Sequence, residues 1–450
     1  MSTAGSGQLG RSHIAQTLTA LPVLVGLLLV WIVGTPSILW SATITAATCS
    51  SSAVGTAINN AVAGDTVRIP AGDCTWTSQL MVTKGISLLG AGQGLTIIRD
   101  GVAKDGGQNS RLMVFTVNSP NTFRIGNFTL IGQAVDSGNY NKGHIALYGT
   151  AKTFRVDHIT VNNPQSTFVR TDGDLLGLID HITMNGNAPV LLAFHANWGG
   201  SQYGDGSWAE QLYWGTQKAI YVEDSTITAN GNPYTSAALD AVGGARVVFR
   251  YNKLSQANTG SHGLDSSQRF RSVRSVEVYN NTFTFPSNMA VDFIHWFRGG
   301  TGVMFNNTVN VPGGLNNMAK HSNLRDTGSY SPWGMCNGSS PYDGNVSGQT
   351  GYRCVDQPGA GTSRNLNGSP TPIAAANVAD PIYVWNNTIN GATNNCGVWG
   401  CGDDGHVKAG RDIIFGTPRP GYVPYAYPHP LQAGSGTNAP PSAPRNLTAS

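Results

Sequence analysis

The sequence predicts an all-β protein, a right-handed parallel β-helix (a solenoid) with two long loop insertions. Three observations carry this reading. A strand-sized segment recurs along the chain, the composition favours tight turns over charged surface, and no 3.6-residue apolar period is visible over helix-length windows.

Composition comes first. The chain has 450 residues, of which 57 are Gly and 11% are charged, against about 25% charged in an ordinary soluble domain. Gly and Asn supply the left-handed conformations that tight turns need. A formal net charge of +3 with no basic stripe gives nucleic acid no electrostatic foothold.

The N-terminal segment is set apart. Arg11 and His13 precede an apolar run from Leu18 to Val33, and small residues follow from Ser41 to Ala47. This pattern reads as a signal peptide over 1–47. An uncleaved anchor is the alternative, since a bilayer span needs roughly 20 apolar residues, although Gly34 and Pro36 interrupt the run. Both readings place the remainder in an oxidising compartment, secreted or at the cell surface, with no membrane contact beyond this segment. The six cysteines fall into three local pairs. We expect disulfides Cys49–Cys74, Cys336–Cys354 and Cys396–Cys401, because the spacings do not suit zinc-binding patterns.

Next comes the repeat. Eight segments align without gaps in an eight-residue register: FRIGNFTL (123–130), FRVDHITV (154–161), GLIDHITM (177–184), IYVEDSTI (220–227), VVFRYNKL (247–254), VEVYNNTF (276–283), GVMFNNTV (302–309) and IYVWNNTI (382–389). Positions 1, 3 and 8 are mostly apolar, position 5 is usually Asn, His or Asp, and position 7 is nearly always Thr. One such unit cannot bury its apolar face alone, whereas stacked copies share a continuous core. Where no insertion intervenes the segments recur every 23 to 31 residues. That spacing suits a solenoid coil better than a propeller blade.

The stretches AINNAVAGDTVRIPAGDCTW (57–76) and GISLLGAGQGLTII (85–98) resemble the opening coils of pectin-lyase-like right-handed parallel β-helix proteins. The repeats extend that resemblance to about residue 390 and give a solenoid domain over 48–430. The resemblance implies the fold and export but no single chemistry, because the superfamily hosts lyases, hydrolases, epimerases and adhesins. Residues 431–450 read as a Gly/Ser/Pro linker whose last residues resemble the start of a fibronectin type III module.

Stacking turns register positions into columns about 4.8 Å apart. Position 4 points outward and lines up Asp157, Asp180 and Glu223, then Arg250, then Tyr279, Phe305 and Trp385. Three carboxylates in a row repel one another, and Ca²⁺ with its oxygen ligands would relieve that repulsion. The aromatics beyond would suit sugar stacking. A solvated face with Arg250 as a local ion pair is the alternative. Position 5 stacks His158 on His181, read as a turn ladder in which Asn and its stand-ins hydrogen-bond neighbouring coils, with a metal pair as the alternative.

The densest polar cluster spans 240–300. Breaking a uronate chain by β-elimination needs a cation against the carboxylate, a base for the α proton and an acid for the leaving oxygen. His262 is the base or acid, having the right proton affinity near neutrality. Arg271, Arg274 and Arg298 are the carboxylate readers through their planar forks. Asp240, Arg246, Asp265 and His295 would complete the substrate surface. The alternative is that these arginines pair with Asp240, Asp265 and Asp292 and merely cover the coil. Two insertions, 185–219 and 311–381, would frame a cleft and present Trp198, Trp208 and Trp214 to sugar faces, or pack as lids.

Family signatures are incomplete. Ser261-His262-Gly263 is similar to the G-H-G of polygalacturonases and Thr171-Asp172-Gly173 to part of their N-T-D-G, but the R-I-K element is missing and Asp403-Asp404 follows rather than precedes the G-H-G. FRYNKLSQANTGSHG (249–263) is similar to the region of alginate- and chondroitin-cleaving lyases that ends in R-H-G, with Ser261 in place of the Arg. Pectate-lyase-like R-x-P-x-x-R is absent. The expectation is therefore a polysaccharide lyase acting on uronate polymers. The alternatives are a hydrolase or epimerase on the same fold, or a non-catalytic adhesin.

Overall fold

The computed structural model describes residues 41–104, 110–132, 143–230, 237–265, 269–343, 353–368 and 378–433. The apolar N-terminal run and the fibronectin-like tail lie outside the described residues.

The eight segments are strands of one sheet, paired in parallel at the register read from the sequence. Phe154 faces Phe123 and Gly177, Glu223 faces Asp180 and Arg250, and Tyr279 faces Arg250 and Phe305. A second sheet holds nine parallel strands, from Leu80–Val82 through Ala237–Val242, Asn258–Gly260 and Val291–Phe297 to Leu315–His321. The chain alternates between the sheets and winds a parallel β-helix. Apolar side chains from both sheets fill it, among them Phe115, Phe123 and Phe154, stacked ring on ring at 5.4 and 5.6 Å.

Position 5 is the corner of each coil. Asn127, His158, His181, Asp224, Tyr251, Asn280, Asn306 and Asn386 all take φ between 51° and 62°, the left-handed region that Asn and Asp tolerate better than most side chains. The hydrogen-bonded ladder expected at position 5 has a rung there, Asn386 Nδ2 donating to Asn306 Oδ1 at 2.6 Å, and a second ladder runs through position 6. The backbone N–H of Asn252 donates to Asn281 Oδ1 (2.9 Å), that of Asn281 to Asn307 Oδ1 (3.1 Å) and that of Asn307 to Asn387 Oδ1 (3.0 Å). These side chains are at most 1% exposed, because the residue after a left-handed corner turns inward. The N-N-T triplet thus uses its first Asn for the bend and its second for the ladder. Asn281→Ala should cost about 2–4 kcal/mol in urea unfolding, since it strands buried backbone groups. A loss under about 1 kcal/mol would show the ladder to be dispensable.

Four boundaries move. Thr43–Thr45 is a strand paired in parallel with Thr66–Ile69, so the folded body begins before residue 48. Helix Ser51–Asn60, which the repeat pattern did not foretell, has Ser50 as its N-cap and buries Val54, Ala57 and Ile58. Leu191–Phe194 and Leu315–His321 are second-sheet strands, so the insertions shrink to 195–219 and 322–381. At the other end Gln432 still packs on the solenoid, donating to Glu223 Oε1 at 2.7 Å. All three expected disulfides are present.

Candidate functional site

The outward column of the first sheet forms as read, but it is not open. Residues 419–433 cross it as a strap. The carbonyls of Tyr425 and Ala426 accept from the Arg250 guanidinium at 2.7 Å, and the His429 N–H donates to Glu223 at 2.8 Å. Asp157, Asp180 and Glu223 are fully buried. Arg124 grips Asp157 (2.6 Å), Arg155 grips Asp180 (2.8 Å) and Arg250 grips Glu223 (2.6 Å). Guanidinium thus neutralises the carboxylates where Ca²⁺ was expected, which corrects the reading of these three as an exposed ion site. Tyr279 and Phe305, stacked at 4.6 Å, are likewise buried rather than offered to sugar. His158, Asp180 and His181 bring candidate ligand atoms within 4.8 Å, but each imidazole Nδ1 already meets a column carboxylate at 2.7 Å.

Several cluster residues are structural. Arg271 is wholly buried and joins the two insertions to the solenoid, bonding Asp356 Oδ1 and Oδ2 at 2.6 Å and Asp205 at 3.3 Å. Arg274 is buried too, donating to the Glu210 carbonyl at 3.0 Å and Thr362 Oγ1 at 3.1 Å. Arg246 donates to Ser207 and to the carbonyls of Gln211 and Leu212. Trp208 sits between Arg271 and Arg274, each 5.0 Å from its ring, and donates its indole N–H to the Ser272 carbonyl at 3.0 Å. Trp198 lies under Arg246 at 4.7 Å. His295 points inward to Thr259 Oγ1 (2.9 Å), and burial pulls its pKa down to about 3, so it stays neutral. These six residues are therefore corrected from substrate contacts to packing elements. Trp214 borders a groove by the first sheet, away from His262.

What remains gathers on the outer face of the second sheet. His262 follows the strand Asn258–Gly260, its N–H donating to the Ala241 carbonyl at 2.8 Å and its carbonyl accepting from Val273 at 3.0 Å. Gly263 has to follow it, because a Cβ there would lie 2.3 Å from the Arg298 carbonyl oxygen. His262 Nδ1 is 2.6 Å from Asp240 Oδ1, with the two side chains 27% and 20% exposed. Arg298 pairs with Asp265 and lies 5.0 Å over the Trp296 ring. Burial lowers the Arg298 pKa, while Asp240 and Tyr330 act on it in the opposite sense. Lys320 reaches over Trp296 at 4.6 Å and binds Asp292 at 2.6 Å. Gly260, paired with Trp296 across the ladder, has open space where a Cβ would stand.

Trp296 and Lys320 were not foreseen. A signal existed: counting back from the buried Phe297, alternation turns Trp296 outward and His295 inward. Four coils before Trp296, and two before Asp240, the same face carries Arg170 and Asp172, which pair at 3.3 Å. Burial raises the Asp172 pKa, with Arg170 and Arg111 opposing. The face thus combines a carboxylate-held imidazole, a half-buried indole, three cations and a carboxyl whose pKa burial raises.

No protein-family model and no curated protein matches this chain. Among solved structures it is similar to ORF18 of Geobacillus virus E2, at 13% identity and TM-score 0.27, covering 60% of this chain and 56% of that one. It is also similar to the catalytic domain of a GH87 α-1,3-glucanase in complex with nigerose, at 11% identity and TM-score 0.28, covering 64% and 58%. The same enzyme domain with tetrasaccharides aligns at 10% identity and TM-score 0.28, covering 86% and 69%. The chain spans little more than half the length of the first two.

Proposed function

We propose that this is an exported polysaccharide-active protein that cleaves a uronate-containing chain by β-elimination on the outer face of its second sheet. The observation that carries the reading is His262, held by Asp240 and partly open to solvent, just after the strand that pairs with Trp296, whose ring lies under Arg298 and Lys320. With Nδ1 turned to Asp240, Nε2 is the nitrogen left for chemistry. A sugar ring on Trp296 would bring its carboxylate toward Arg298 and Lys320, which offset the charge that builds as the α proton leaves. The imidazole takes that proton, a carbon–carbon double bond forms as the glycosidic C–O bond breaks, and the protonated imidazole serves the leaving oxygen. Three disulfides suit an oxidising, extracellular setting.

Hydrolysis is the second reading, favoured by Asp172, a carboxyl on the same face whose pKa burial raises, the direction a general acid needs. One assay separates the two. The protein is incubated with a panel of uronate polymers, with and without Ca²⁺, while ultraviolet absorbance and reducing ends are followed. Rising absorbance is the expected result. New reducing ends without absorbance would move the assignment to a hydrolase, and neither signal on any polymer would move it to a binding protein.

A further inference from the structure

A further concavity lies by the first sheet. A groove of about 410 Å³ is lined by Gln211, Tyr213, Trp214, Thr362, Asp380 and Arg419. A neighbouring hollow of about 300 Å³ shares Asp380 and Arg419 and adds Tyr383. Its walls come from both insertions and the strap. Arg419 bridges the aromatics, 4.6 Å from the Trp214 ring and 5.5 Å from that of Tyr383, and pairs with Asp380 at 2.7 Å.

Beneath this lining lie two buried guanidiniums that, among the described residues, have no carboxylate in contact. Arg246 hydrogen-bonds the carbonyls of Gln211 and Leu212, and Arg274 hydrogen-bonds Thr362 Oγ1. Among the described residues, Arg274 Nε and Nη1 have no hydrogen-bond partner, nor does the indole N–H of Trp214. Burial and the charge of Arg246 pull the Arg274 pKa down to about 9, and burial pulls that of Arg246 to about 10. Lys218 adds a cation over Tyr213 at 3.7 Å. Against these four cations stand Asp380 and Asp356, which act on Arg274, Glu210 and Asp174, which act on Arg246, and Glu277, which burial pushes up to about 7 against the Tyr422 hydrogen bond. Buried positive charge without a counter-ion is costly, and an anion brought alongside would relieve it.

We propose that this groove is a binding site for an acidic saccharide, with ring faces on Trp214 and Tyr383 and a sugar carboxylate on Arg419, which Asp380 holds in the empty groove. It is distinct from the His262 face and does not depend on cleavage there. The arginine fork suits a carboxylate, and indole and phenol rings suit the apolar faces of sugars.

The test is calorimetric titration of the full chain carrying His262→Ala, so that the probe is not consumed, with oligogalacturonate and a neutral malto-oligosaccharide. Asp380→Asn frees Arg419 and should tighten oligogalacturonate binding severalfold. Arg419→Gln should weaken it about tenfold, and the malto-oligosaccharide should bind poorly to both. A folding defect can weaken binding but does not tighten it, so the Asp380→Asn arm decides. Unchanged or weaker affinity in Asp380→Asn, equal binding of the neutral sugar, or no binding at all would overturn the proposal. Failure of the elimination reading shows separately, as absence of unsaturated product from the parent protein.

Discussion

Arg271→Ala is expected to destabilise the protein by about 3–5 kcal/mol in urea unfolding, because it strands a buried carboxylate. Asp205 would keep Arg269 at 2.7 Å, but Asp356 would lose both of its guanidinium bonds while staying about 1% exposed. The damage should centre on the insertions. Ser363 donates its backbone N–H to the Trp208 carbonyl, and Asn365 donates to Ser201 Oγ at 2.7 Å. Both bonds depend on the two insertions staying docked. Limited proteolysis should therefore cut 195–219 and 353–368 in the variant before the coils. Arg271→Met combined with Asp356→Leu should regain much of the loss, since it removes both charges. A single-variant cost below about 1 kcal/mol would show that Arg271 is not the rivet described, and would return it to the list of possible substrate contacts.

The largest effect on activity is expected from His262→Ala. Loss of a positioned general base costs about 10²- to 10⁴-fold in kcat, and KM should change little because Trp296 and Arg298 remain. Asp240→Asn keeps the shape but removes the charge that orients the imidazole, so kcat should fall by a smaller factor with the fold intact. Equal kcat for wild type and His262→Ala would eliminate the imidazole from the chemistry and leave Asp172 as the group to test next.

The first sheet was legible in the sequence because each coil repeats the same physical demand. An inward strand ends at a left-handed corner, and only Asn, Asp and a few others sit there comfortably. The register of position 4, from Gly126 to Trp385, followed from that alone. The second sheet carries no such signature. Its strand Leu191–Phe194 reads as part of an aromatic loop, and its outward residues are chosen for the site rather than for a turn.

Burial explains why the site was only partly legible. Arg271, Arg274 and Arg246 look in sequence like any surface arginine. The groups that bury them come from distant insertions, Asp356 lying 85 residues beyond Arg271 and Ser207 39 residues before Arg246. The strap that closes the acidic column lies still further off, with His429 206 residues beyond Glu223. His262 and Asp240 could be picked out because both fall in the densest polar cluster of the chain, 240–300, with His262 in the Ser-His-Gly triplet.

In the proposed reaction substrate lies across Trp296 with its reacting carbon at the His262 position. A crystal structure of the His262→Ala protein with an oligouronate bound tests it most directly. The account predicts a sugar ring stacked on Trp296, with its carboxylate within hydrogen-bonding distance of Arg298 or Lys320. Saccharide seated only in the Trp214–Arg419 groove, with the Trp296 face bare, would contradict it.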